Sequence, residues 1–414
     1  MNKKSQQVQR TYIGLTLLST FASSFIWGIN TLFLLDAGLS ITEAFAANAF
    51  FTLGQVIFEV PTGVVADTWG RRASYLLGSA TLLLSTILYL VMWNIQAPFI
   101  AWAASSALIG LGFTFFSGAV EAWLVDALNH SKFKGSLESV FAKGQVSGGI
   151  AMLSGSFIGG VIAQQTNLGV PYIMRSVLLG ATFLLALKSM HDLGFTPDNG
   201  MKLGVHIKKI LKESFDNGLR KREIRWVMLT SPFTFGVGAF AFYAMQPYLL
   251  ELYGDPEAYG VAGLAASVIA GAQIVGGLLV NWVRKRFTRR TSAMIFGTIV
   301  SSIALLLIGV TTSFGVAVAM LVVWAASFAL VGPIRQAYLN KLIPSQQRAT
   351  VLSFDALLGS TGAVAGQPAL GRVADAYSYS VSYIVSAGIA IAAMPFVLLA
   401  RKEHAGADDI EQDD

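Results

Sequence analysis

The stretch Gly63-Val-Val-Ala-Asp67-Thr-Trp-Gly70-Arg71-Arg72 sets an acid, a turn glycine and two arginines between two apolar runs, 43–66 and 72–94. Each run has about the 20 residues that a helix rising about 1.5 Å per residue needs to cross a bilayer core of about 30 Å. A charged turn between two such runs is a membrane hairpin, and its arginine pair marks the cytoplasmic side. Outward from this hairpin the pattern repeats. Apolar runs occupy 11–35, 43–66, 72–94, 98–127, 138–164, 170–192, 226–250, 258–282, 291–311, 314–341, 349–374 and 379–400. The expected fold is an all-α integral membrane protein of twelve transmembrane helices.

Composition agrees with this pattern. The 414 residues are 54% hydrophobic and 13% charged, with a mean hydropathy of +0.61. Ordinary soluble domains carry about 25% charged residues, so a water-soluble globule is excluded. The even spread of apolar runs also excludes a single-span receptor. The first run lacks a small-residue cleavage site and outlasts a signal h-region, so it is read as a retained span.

Several chemistries are also excluded. There is no cysteine, hence no disulfide, thiolate nucleophile or sulfur-bound metal. His130, His191, His206 and His404 fall in or beside loops, which suits neither a metal ligand nor a buried proton carrier. No phosphate-cradling glycine loop followed by lysine is present. No cofactor, no metal and no enzymatic activity are expected. The net charge of +6 does not indicate nucleic acid, because the basic residues sit in short loops between spans. Of the 29 lysines and arginines, all but Lys143, Arg175, Lys188, Arg335 and Arg372 lie on one side. The opposite loops carry Asp36, Glu251, Asp255 and Glu257. Both termini are therefore expected in the cytoplasm of a cell whose plasma membrane holds the chain.

The longest polar stretch separates six spans from six. The expected organisation is a six-helix bundle over 1–192, a cytoplasmic loop over 193–225, and a second bundle with an acidic tail over 226–414. Within the loop, Leu203, Ile207, Ile210, Leu211 and Phe215 recur at helical spacing opposite Lys208, Lys209 and Lys212. Two readings fit this pattern, an amphipathic helix on the membrane surface and a solvated linker.

The halves repeat one another. Glu59-x-x-x-Gly63-x-x-x-Asp67 returns as Gln273-x-x-x-Gly277-x-x-x-Asn281, and Glu121-Ala-Trp-Leu as Gln336-Ala-Tyr-Leu. Gly155 and Gly160 return as Gly366 and Gly371. Three pairs at nearly one offset indicate a duplicated six-helix unit, which places a site between pseudo-symmetric halves near the midplane.

The turn quoted first resembles the G-x-x-x-D-[RK]-x-G-R-[RK] loop of the major facilitator superfamily, with Thr68 where that family has a basic residue. The resemblance covers the whole chain, including a decayed second copy after the eighth span. It implies a secondary transporter working by alternating access, as a monomer in the lipid bilayer. It also implies that Gly63, Asp67, Gly70, Arg71 and Arg72 form a gating motif, latched against Asp126 at the cytoplasmic end of the fourth span. In the fifth span, Ala151-x-x-x-Gly155-Ser156-x-x-Gly159-Gly160 is similar to the G-x-x-x-G-P-x-x-G-G motif of drug/proton antiporters. Ala151 and Ser156 replace a glycine and the proline, and Ser106 stands near where antiporters carry arginine. Gly155, Gly159 and Gly160 let helices approach closely whatever the direction of transport.

Charged groups inside the spans must find partners or water. Glu121 and Lys143 lie at matching depth, as do Arg335 and Asp355, and Glu59 is the fifth member. Three carboxylates against two cations leave one acid unpaired, available to carry a proton. Glu59 is favoured by the charge count and Glu121 by its place on a cavity helix. The alternative is that all five only hold the inward gate together.

By the resemblance, spans one, four, seven and ten line the substrate cavity. They supply Trp27, Asn30, Phe113, Phe116, Tyr243, Gln246, Trp324 and Phe328, with Trp123, Phe233 and Phe240. Aromatic walls with few polar groups suit a bulky amphipathic solute, and a proton-coupled exporter is the expected function. The Ser117-Gly118-x-x-Glu121-Ala122-Trp123 stretch resembles a branch that includes molybdate-type transporters. It implies the alternative of an uptake carrier for a small metabolite or oxyanion.

Overall fold

A computed structural model describes residues 3–197, 218–344 and 348–410, and their regular elements are helices. The sequence pattern at 203–215 lies outside the described residues. The first half forms α1 (Lys3–Ser24), α2 (Asn30–Asp36), α3 (Ile41–Thr68), α4 (Arg71–Ile95), α5 (Phe99–Thr114), α6 (Ala119–His130), α7 (Leu137–Gln165) and α8 (Gly169–Ser189). The second forms α9 (Arg222–Met228), α10 (Ser231–Tyr253), α11 (Tyr259–Arg286), α12 (Arg290–Val310), α13 (Phe314–Leu342), α14 (Arg348–Ala376), α15 (Tyr379–Ile391) and α16 (Met394–Lys402).

Among the described residues, ten helical stretches are long and apolar enough to cross a membrane. The chain is thus a multi-pass integral membrane protein. The first and eleventh apolar runs fall outside that group, each for a local reason. The first breaks between α1 and α2 at 25–29. The eleventh, α14, dilutes its apolar residues with Ser353, Asp355, Ser360, Thr361 and Gln367. Three further runs expected to be continuous are also interrupted: α5/α6, α9/α10 and α15/α16.

Local chemistry accounts for several helix ends. Gly70 precedes α4 with φ +104° and Gly118 precedes α6 with φ +67°, values at which a Cβ would strain the backbone. Ser136 Oγ accepts from Ser139 N at 3.1 Å to cap α7, and Ser378 Oγ accepts from Val381 N at 3.1 Å to cap α15.

The chain divides into two compact units. The first draws on Met1–Leu39, Phe50–Leu203 and Glu257–Ser267; the second on Ser40–Ala49, Gly204–Pro256 and Val268–Asp414. In the first unit α7 lies against α1, where a Cβ at Gly155 would meet Ser24 and one at Gly159 the Phe25 carbonyl. A Cβ at Gly160 would stand 2.7 Å from Gly263 Cα at the start of α11. In the second unit α14 lies against α10 in the same manner: a Cβ at Gly366 would stand 3.3 Å from Gly236 Cα. Phe45 packs there with Phe240 at 4.9 Å between ring centroids. Helices meet at backbone distance because lipid offers no hydrophobic drive and close van der Waals contact must supply it.

Candidate functional site

The turn between α3 and α4 is closed by its own charges. Arg71 Nη1 donates to Asp67 Oδ1 at 2.5 Å, across the turn from the end of α3 to the start of α4. Arg72 Nη2 donates to the Leu187 carbonyl at 2.8 Å, and Arg71 lies 5.9 Å from the Phe195 ring centroid. Asp126, the partner expected for this turn, makes no side-chain hydrogen bond or ion pair to it among the described residues. Its place is taken by Asp192, whose Oδ1 accepts from Arg72 N at 2.9 Å and so caps α4.

The second unit repeats this device. Asp408, buried, accepts from Thr291 N at 2.7 Å and from the Thr291 hydroxyl at 2.8 Å, capping the first turn of α12. Arg290 Nη1 donates to the Ala407 carbonyl at 2.7 Å. Sequence reasoning missed both aspartates. The available signal was their separation of 216 positions, close to the offset of the other repeats.

The five charged groups divide unequally. Arg335 and Asp355 form a nearly enclosed pair, with Nη1 to Oδ2 at 2.7 Å and Nη2 to Oδ1 at 2.5 Å. Ser231 Oγ donates to Asp355 Oδ1 at 3.0 Å, and Arg335 also donates to the Val227 carbonyl and to Ser231. The pairing of Glu121 with Lys143 needs correction. Both side chains are exposed, and no ion pair joins them among the described residues. Matching depth on two helices does not fix azimuth: Lys143 lines a cavity with Lys132 and Lys134. Glu59 is likewise exposed and accepts from Ser117 Oγ at 2.7 Å. Ser117 stands four residues before Glu121, so two carboxylates, neither in an ion pair among the described residues, share one region of the first unit.

The aromatic residues also separate. Phe116 stacks on Tyr75 at 4.5 Å and joins the core around Trp123. Phe113 meets Phe51 edge-on at 5.6 Å, and Tyr243 meets Phe242 at 5.4 Å. Asn30 accepts from the Tyr172 hydroxyl at 2.9 Å, Gln246 is fully buried, and Trp27 is exposed. Trp324 and Phe328, 6.1 Å apart, line a cavity of about 540 Å³ within the second unit. Its walls are apolar apart from groups such as Thr298, Ser301, Ser327, Gln336 and the paired Arg335.

The sequence model of the Major Facilitator Superfamily matches residues 13–283 and 228–414. No curated protein matches the chain. The crystal structure of the nucleoside transporter NupG superposes with a TM-score of 0.76 at 12% identity, over 97% of this chain and 100% of that one. A bacterial homolog of the human lysosomal transporter Spinster gives 0.74 at 13% identity over 99% of each chain. A D-xylose-proton symporter gives 0.66 at 16% identity over 95% and 96%. These likenesses show a shared fold.

Proposed function

Because the chain belongs to the Major Facilitator Superfamily and is a membrane transporter of that type, we propose that it is a proton-coupled exporter of amphipathic compounds. In this reading twelve spans form two pseudo-symmetric bundles in the plasma membrane, with both termini cytoplasmic, and a monomer works by alternating access. The charge asymmetry of the loops supports the orientation. Breaks in the first, fourth and seventh spans support a route beside them, since irregular backbone at membrane depth is tolerated only against protein or a water-filled cavity.

One observation carries the coupling. Glu59 and Glu121 stand in one region of the first unit, neither in an ion pair among the described residues, while the third membrane carboxylate, Asp355, is held by Arg335. A carboxylate at depth that is free of a cation can load and release a proton. The enclosed Arg335–Asp355 pair also favours an amphipathic solute over an oxyanion, which would need that arginine. The gating motif is Gly63, Asp67, Gly70, Arg71 and Arg72, stabilised in this reading by Asp192.

The test is pH-driven movement of ethidium and rhodamine 6G in reconstituted vesicles. Glu59→Gln or Glu121→Gln is expected to abolish uphill accumulation while downhill exchange continues. If both variants still concentrate dye in response to a pH gradient, coupling through this pair is refuted. If the unaltered protein moves neither dye, the export reading fails.

A further inference from the structure

Lys143, unpaired with Glu121, lines a cavity of about 590 Å³ at the loop end of the first unit. Lys132, Lys134, Ser139 and Gln9 line it too, and no carboxylate is among its walls in the described residues. None of the three lysines forms an ion pair among the described residues. The nearest acid in sequence, Glu138, is exposed and accepts from Ser136 Oγ at 2.5 Å, leaving a surplus of positive charge. Gln9 supplies an independent sign of a missing ligand. It is only 7% exposed, yet its Nε2 has no hydrogen-bond partner among the described residues. A buried donor left unmade costs free energy, and an acceptor in this cavity would relieve it.

We propose that this cavity binds a phosphate group, recognised by Lys132, Lys134 and Lys143 with the Gln9 amide donating from the buried side. Three ammonium groups and the unpartnered amide nitrogen of Gln9 supply donors, which suits a multiply charged oxyanion and disfavours cations. Lysine, a point charge on a flexible stem, is well suited to a phosphate that is free or borne on a lipid headgroup. The site lies within one unit and does not depend on the solute transported.

The test uses the purified full chain in nanodiscs. In one arm, phosphatidylcholine discs are titrated with inorganic phosphate at constant ionic strength. In the other, phosphatidic acid is added to the discs without free phosphate. A rise in Tm is expected in at least one arm. A response to inorganic phosphate alone identifies a soluble anion, to phosphatidic acid alone a lipid headgroup, and to both the shared phosphate chemistry. Lys132→Gln and Lys143→Gln should each weaken binding roughly tenfold or more, as charge-assisted hydrogen bonds do, while Lys285→Gln in the second unit should leave it unchanged. Gln9→Leu should keep or raise the Tm without phosphate, because an unpartnered donor is removed, yet weaken phosphate binding. No response in either arm overturns the proposal, as does an equal loss in Lys285→Gln, which would reduce the effect to general basic charge.

Discussion

Severing the Arg335–Asp355 pair should produce a large and readable loss of stability. The side chains are 12% and 8% exposed and joined by two hydrogen bonds. Removing one partner of a buried pair costs about 3–5 kcal/mol, because the other charge stays behind. At about 2–4 °C per kcal/mol for a unit of this size, either single substitution should lower Tm by roughly 6–20 °C. The two are not equivalent. Asp355→Leu leaves Arg335 with acceptors at Val227 and Ser231, whereas Arg335→Met leaves Asp355 with Ser231 as donor. Arg335→Met should therefore be the worse. The double variant decides the matter. Independent effects would sum to about 6–10 kcal/mol, but apolar replacement of both partners is close to neutral, so it should recover most of the loss. The assay is thermal unfolding in detergent followed by tryptophan fluorescence. A double variant as unstable as the sum of the singles would refute the pairing.

Three further outcomes are expected. Asp192→Ala and Asp408→Ala each remove the cap of a membrane helix and should cost about 0.5–2 kcal/mol; unchanged Tm in both would show that these contacts do not stabilise α4 and α12. Gly263→Val should destabilise by about 1–3 kcal/mol, because its Cβ position is 2.7 Å from Gly160 Cα, whereas Gly277→Val enters open space and should be nearly silent; equal effects on Tm would contradict the packing. Asp67→Asn and Arg71→Ala should slow transport in vesicles without reducing insertion, since the turn biases a two-state equilibrium; full transport in both would remove the gating role.

What the sequence by itself determined is what depends on the bilayer as solvent. Hydrocarbon admits only long apolar helices, so ten of the runs, 43–66 to 314–341 and 379–400, were legible without a structure, as was the grouping of Lys and Arg. The Gly63–Arg72 turn was legible because its charges and Gly70 act within a single turn, and Arg71 does pair locally with Asp67. Arg335 and Asp355 were brought together correctly by depth along two helices. The same reasoning failed for Glu121 and Lys143, since depth is one coordinate and rotation about the helix axis is another. Only packing fixed that rotation, and it turned Lys143 towards Lys132 and Lys134. Tertiary structure assigned the caps at Asp192 and Asp408, because a cap joins backbone and side chain across more than a hundred residues and marks the sequence only through the repeat offset. The breaks at 25–29 and around Gly118 belong to the same class. Hydropathy averages over a window and is blind to a single turn of backbone, while packing against neighbouring helices decides whether that turn continues the helix.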